Sequence, residues 1–233
     1  MDRKLDKDCL SFENIPRMID ISALSVPTVE ADIIRLAQEA NKHGFIAAYV
    51  MPCYMQLLRE QLGDDTKVIM GAPIGFPTGA DLTQDKCFQV TELKKLGCTE
   101  FDMVIGVGML KSGRLKLVAY DIAKVIEAAE EYPVKVILEV AYLTDDEIKT
   151  GSEIVAQSGA QYVKTGTGYA AQPTQLHHVE LMRQTVGERV KIKVAGGVRD
   201  FQTLKDFYDA GATRFGIGME SALKIVNSLQ NKE

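Results

Sequence analysis

Short apolar runs rich in β-branched residues recur eight times along the chain, at 18–22, 46–51, 67–74, 100–107, 135–140, 161–165, 191–195 and 214–217. Most are nearly continuous in hydrophobic character, the pattern of parallel strands covered on both faces. Each is followed by a stretch of helix length. Over 28–43, Val29, Ile33, Leu36, Ala37 and Ala40 share one face, with Glu30, Asp32 and Arg35 largely off it. Thr144 with Glu147 three residues on forms a capping-box pattern, which predicts a helix start directly after the strand carrying Glu139. Asp200 predicts another N-cap. Gly44, Gly97, Gly159 and Gly211 each stand between a helix and the next strand, where a left-handed residue is useful.

Eight strand–helix units of about 25–30 residues predict a (β/α)8 TIM barrel. A doubly wound open sheet competes with it, but that fold prefers a dinucleotide fingerprint after its first strand, and Asp20-Ile-Ser-Ala-Leu offers none. No linker or shift in composition divides the chain, so one domain over 1–233 is expected. A chain of this length buries roughly 70% of its unfolded surface without a disulfide or metal staple. With 46% hydrophobic and 25% charged residues it has the make-up of a soluble globular protein.

Charge narrows the partners. A net charge of −5 provides no electrostatic case for nucleic acid or an anionic membrane, so any phosphate must be held by a local site. No run approaches the ~20 apolar residues that cross a bilayer, and the charged N-terminus has no apolar signal core behind it. A cytoplasmic location is expected, with Cys9, Cys53, Cys87 and Cys98 as reduced, mostly buried thiols. None forms a CxxC pair, and His43, His177 and His178 have no metal-ligand spacing. Neither a metal nor another cofactor is expected.

In a barrel the chemistry sits at the C-terminal ends of the strands, so charged residues within or ending apolar runs carry the information. Four stand out: Asp102, Glu139, Lys164 and Lys193. Lys164 is followed at once by a glycine-rich turn, and Lys193 occupies the equivalent place one strand later. A neighbouring cation lowers a lysine's pKa, and the neutral amine is a nucleophile toward carbonyls. Asp102 on the fourth strand can balance these charges and shuttle a proton. Glu139 can serve the chemistry directly, or hold Lys193 or the strand-6 loop.

At these residues the sequence resembles the deoxyribose-phosphate aldolases, class I aldolases of the DeoC type. The likeness runs through Ile74-Gly-Phe-Pro77, Glu100-Phe-Asp-Met-Val-Ile105, Lys135-Val-Ile-Leu-Glu139, Val163-Lys-Thr-Gly-Thr-Gly168, Lys193-Val-Ala-Gly-Gly-Val-Arg199 and Ala210-Gly-Ala-Thr-Arg214. The resemblance implies that Lys164 forms a Schiff base, Lys193 perturbs its pKa and Asp102 takes part in proton transfer. The implied reaction cleaves 2-deoxy-D-ribose 5-phosphate to glyceraldehyde 3-phosphate and acetaldehyde, with a small sugar phosphate or aldehyde as substrate and a homodimer or other homo-oligomer as assembly. Gly168, Gly196, Gly197, Gly218, Ser22 and Tyr49 are the implied substrate- or phosphate-binding positions.

The specificity shell departs from the family. Gly218 and Met219 stand where a serine pair is common, followed by Glu220, whose charge would repel a phosphate unless it points away. Ile21 replaces a histidine, Tyr49 and Met51 replace Cys and Asn, and Gly166 replaces a serine. Two other readings follow: a Schiff-base aldolase for a different sugar or oxo compound, and a barrel that binds a sugar phosphate without catalysis.

Overall fold

The expected alternation of strand and helix is present in the computed structural model, which describes residues 10 and 14–230. Cys9 lies outside the described residues. The strands are β1 (Ile19–Ala23), β2 (Ala47–Val50), β3 (Ile69–Ile74), β4 (Glu100–Val104), β5 (Val134–Ile137), β6 (Tyr162–Lys164), β7 (Lys191–Ala195) and β8 (Ala212–Gly218). They pair in parallel in chain order, and β8 returns to β1 to close the barrel. Among the described residues the helices are α1 (Glu30–His43), α2 (Met55–Leu62), α3 (Thr83–Lys95), α4 (Val107–Lys111), α5 (Leu115–Ala129), α6 (Asp145–Ser158), α7 (Leu176–Val186), α8 (Phe201–Asp209) and α9 (Met219–Gln230).

Local signals in the sequence act where they were expected. Thr144 accepts from the Glu147 amide while the Glu147 carboxylate accepts from the Thr144 amide, starting α6. Asp200 accepts from the Thr203 amide and starts α8. Gly44 and Gly159 end α1 and α6 in the left-handed conformation. Two strands stop three residues short of their expected ends. The fourth apolar run breaks after Val104, and its last residue, Val107, begins α4. The fifth ends at Ile137, so Glu139 lies beyond the strand, itself left-handed (φ 57°, ψ 60°) ahead of a 3-10 turn over Val140–Tyr142.

The strands are also not evenly apolar. Ile19 and Ile21, Phe101 and Met103, Val134 and Val136, Val163, Ile192 and Val194, and Phe215 and Ile217 all join the apolar core. The positions between them carry Asp20, Glu100, Asp102, Lys135, Lys164, Lys193 and Arg214, which meet one another inside the barrel. Successive side chains on a strand point to opposite faces, so one parity packs under the helices and the other fills the barrel. The interior is ionic, where branched apolar layers are the usual filling.

A further buried ion pair fastens the layer of helices to the barrel. Lys86 of α3, 1% exposed, donates to the Val104 carbonyl at the end of β4 (2.9 Å) and to Asp121 of α5 (2.6 Å), which also accepts from Thr83. Asp121→Ala strands that ammonium away from water. We expect a loss of about 3–5 kcal/mol in urea unfolding; an unchanged midpoint would show that the pair does not anchor α3 and α5.

Candidate active site

Lys164 and Lys193 are direct register partners on β6 and β7, and Asp102 faces Lys135 in the same way across β4 and β5. Both lysines reach one oxygen: Asp102 Oδ2 lies 2.6 Å from Lys164 Nζ and 2.5 Å from Lys193 Nζ. The sequence had brought these three residues into view. Four more belong to the same network. Lys193 also pairs with Asp20 of β1, and Asp20 accepts from Arg214 Nε of β8 at 2.5 Å. Arg214 Nη2 reaches Glu100 at 2.9 Å, and Lys135 pairs with Glu100 while lying 3.3 Å from Asp102. Period-two charge within a strand, as in Glu100-Phe-Asp102, points to Glu100, whereas Asp20, Lys135 and Arg214 each stand as a lone charge in their strands and carry no such signal.

Four cations, Lys135, Lys164, Lys193 and Arg214, therefore face three carboxylates, Asp20, Glu100 and Asp102. Uncompensated buried charge is costly, so the network favours loss of one proton. Lys164 is the group placed to lose it. Lys193 has two carboxylates and Lys135 has two carboxylates and the Tyr49 hydroxyl, whereas Lys164 has Asp102 alone. Burial is the largest influence on the Lys164 amine and pulls its pKa below the ordinary lysine value. Lys193 adds to this, and Asp102 and Asp20 oppose it. The neighbouring cation is thus a secondary cause, behind desolvation. For Asp102, burial disfavours ionisation, but Lys164, Lys193 and Lys135 outweigh it and hold the carboxyl well below its usual range.

A cavity of about 490 Å³ opens above this network at the C-terminal ends of the strands, a size suited to a small metabolite. Asp102, Lys164, Lys193 and Tyr49 line its floor, and Ser22, Gly168, Gly196, Gly197 and Gly218 line its walls, together with Arg199 and Ser221. Gly197 has φ 109°, and a Cβ there would lie 2.8 Å from the Pro173 side chain, so the β7 turn depends on glycine. Glu220 also lines the cavity, but its carboxylate is forked onto Arg35 of α1 (2.5 and 3.4 Å). Its charge is matched by a cation and does not stand alone beside the pocket.

Glu139 has the loop-holding role. Its carboxylate accepts from the Thr167 amide (3.2 Å to each oxygen) and from the Thr167 hydroxyl. A Cβ at Gly166 would come within 2.7 Å of Glu139 Oε1, so glycine at this position leaves the carboxylate room to reach the loop after β6. Away from the cavity, Cys53, Cys87 and Cys98 are free thiols, and Cys53 is exposed where a mostly buried set was expected. Among the described residues no helix is long and apolar enough to cross a membrane.

Known proteins are similar to this chain over nearly its whole length. The model of the DeoC/LacD family aldolases matches residues 16–228. The deoxyribose-phosphate aldolase of Sinorhizobium medicae is 43% identical over 217 residues, covering 93% of this chain and 88% of that relative. That of Coprothermobacter proteolyticus is 43% identical over 215 residues, covering 92% and 96%. Among solved structures, an aldolase named QR15 has TM-score 0.88 at 30% identity, over 94% of this chain and 97% of its own. A tetrameric deoxyribose phosphate aldolase from Aeropyrum pernix has TM-score 0.85 at 27% identity, over 96% and 94%.

A depressed amine holds a larger neutral fraction at any pH below the ordinary lysine range. Limiting formaldehyde and cyanoborohydride at neutral pH should therefore methylate Lys164 ahead of exposed lysines such as Lys95, as read by peptide mass spectrometry. Preferential labelling of the surface lysines would contradict the assigned direction.

Proposed function

Because this chain belongs to the DeoC/LacD family of aldolases, and is accordingly a carbon–carbon lyase, we propose that it cleaves 2-deoxy-D-ribose 5-phosphate reversibly to glyceraldehyde 3-phosphate and acetaldehyde, with Lys164 as the Schiff-base nucleophile. The observation that carries this reading is the sharing of Asp102 Oδ2 by Lys164 and Lys193 at the cavity floor. The neutral Lys164 amine adds to the open-chain C1 aldehyde and water leaves, forming an imine that is protonated on nitrogen. The protonated imine draws the electrons of the C2–C3 bond as a base takes the proton of the C3 hydroxyl, releasing glyceraldehyde 3-phosphate. The remaining enamine takes a proton at C2, and hydrolysis returns acetaldehyde and the free lysine. Asp102, within hydrogen-bond reach of Lys164, and Lys193, bonded to the same Asp102 oxygen, are the proposed proton carriers.

The phosphate end of the substrate is proposed to lie against Gly168, Gly196, Gly197 and Gly218, where glycine lets backbone amides approach an anion closely. Tyr49 lies beside Asp102 and Lys193 at the reacting end, and Ser22 stands opposite Gly218 in the β1–β8 register. A second reading, an aldolase of the same mechanism acting on an unphosphorylated or different sugar, is favoured by one feature. Gly218 and Met219 offer no side-chain hydroxyl next to the start of α9.

Borohydride added with acetaldehyde should fix its mass to the peptide containing Lys164, and Lys164→Met should lose that adduct together with aldolase activity. Replacing deoxyribose 5-phosphate by deoxyribose separates the two substrates: the phosphorylated reading expects a fall in kcat/KM on the order of a hundredfold or more, from several kcal/mol of lost transition-state binding. Equal rates on both sugars would leave the second reading standing. Absence of any adduct would count against Schiff-base chemistry altogether.

We also propose a homo-oligomer. Its support is the exposed Phe88 on α3 and the exposed Leu117 and Tyr120 on α5, neighbouring helices on the barrel's outer face, and the tetrameric state named for the Aeropyrum pernix relative. Light scattering should give a multiple of the monomer mass that Tyr120→Glu reduces. A monomer at micromolar concentration would refute it.

A further inference from the structure

Tyr49, 2% exposed, heads the fully buried side chains by size among the described residues, and it stands among the ionic groups directly opposite Gly71 of β3. Its hydroxyl accepts from Lys135 Nζ at 2.6 Å and donates to Asp102 Oδ1 at 2.9 Å, with Glu100 Oε2 farther off at 3.3 Å. Its ring face carries Lys193 Nζ at 4.3 Å and Lys135 Nζ at 5.1 Å from the centroid. The two oxygens of Asp102 are thereby divided. Oδ1 takes the phenol and, at 3.3 Å, Lys135, while Oδ2 takes Lys164 and Lys193.

We propose that Tyr49 is a positioning residue for the lysine chemistry: by donating to Oδ1 and accepting from Lys135, it fixes the rotation of the Asp102 carboxylate so that Oδ2 is presented to Lys164. This rests on the reading of Lys164 as the nucleophile. Gly71 belongs to the same device. A Cβ on Gly71 would lie 2.1 Å from Tyr49 Cζ and 2.3 and 2.6 Å from the two Cε atoms, so the ring occupies the space that any other residue on β3 would fill. Tyrosine and glycine on adjacent strands form a matched pair, directly opposed in the β2–β3 register.

The groups facing this centre come from every strand except β3: Asp20, Tyr49, Glu100 and Asp102, Lys135, Tyr162 and Lys164, Lys193, and Arg214. Burial, followed by Asp102 and Glu100, pushes the Tyr49 phenol well above its ordinary pKa, so it remains a donor through the working range. Without the phenol, Asp102 keeps Lys135 alone on Oδ1. Its negative charge is then less shared and weighs more on Lys164, which holds its proton to higher pH.

The test is the pH dependence of kcat for cleavage of deoxyribose 5-phosphate in Tyr49→Phe, which keeps the ring and its cation contacts. We expect kcat to fall about tenfold, the scale of one hydrogen bond to a charged group, with KM nearly unchanged and the acid limb displaced to higher pH. Gly71→Ala, which drives the ring aside, should displace the limb in the same direction. Borohydride trapping of acetaldehyde on the unaltered chain runs alongside. No adduct at Lys164 overturns the nucleophile reading and this inference with it. An adduct, together with a limb in Tyr49→Phe that stays in place or moves to lower pH, overturns the inference alone.

Discussion

The structure depends on a charge imbalance held inside a closed barrel. Four cationic side chains and three carboxylates are packed where little water reaches them, and removing charge from water costs several kcal/mol per ion unless each finds a partner. Closure of the sheet supplies the partners, because residues of one parity on eight strands converge on a single axis. The surplus cation cannot be matched within the network. It falls on the amine with the fewest anionic neighbours and the most access to the cavity, which is Lys164 at 4% exposure against 0% for Lys135 and 1% for Lys193. The amine nearest the cavity is thus the one with its pKa lowered, above charges that are better matched.

The network has two levels. Glu100 lies two residues before Asp102 on β4 and meets Lys135 and Arg214 below the cavity floor, while Asp102, Lys164 and Lys193 line the floor itself. The lower level holds the upper in place. The opposite parity of each strand is apolar and packs beneath the helices, so the hydrophobic stabilisation of the fold resides outside the barrel wall and leaves the interior free for chemistry.

Three of the positions that read in the sequence as departures from the family's usual pattern are accommodated by local geometry. Gly166 in place of a serine leaves room for Glu139 to reach Thr167 and hold the loop after β6. Tyr49 in place of a smaller residue is accommodated by Gly71 across the β2–β3 pairing. Glu220, which read as an obstacle to an anion, is paired with Arg35. Each is a two-residue adjustment, and in each the second residue is distant in sequence.

By itself the sequence determined the eight-fold alternation, the caps at Thr144 and Asp200, and the glycine ends of α1 and α6, and it singled out Asp102, Lys164 and Lys193, which the structure brings together. Those features rest on periodicity, short-range hydrogen bonding and residues embedded in local motifs, all of which lie within a few positions of one another. Tertiary structure alone decided that Asp20, Glu100, Lys135 and Arg214 complete the charge network, that Tyr49 divides the oxygens of Asp102, and that Glu139 serves a loop. These contacts span up to 194 positions along the chain. They exist only because strand register and barrel closure set the height and direction of each side chain, and no pattern along the chain encodes how β8 meets β1.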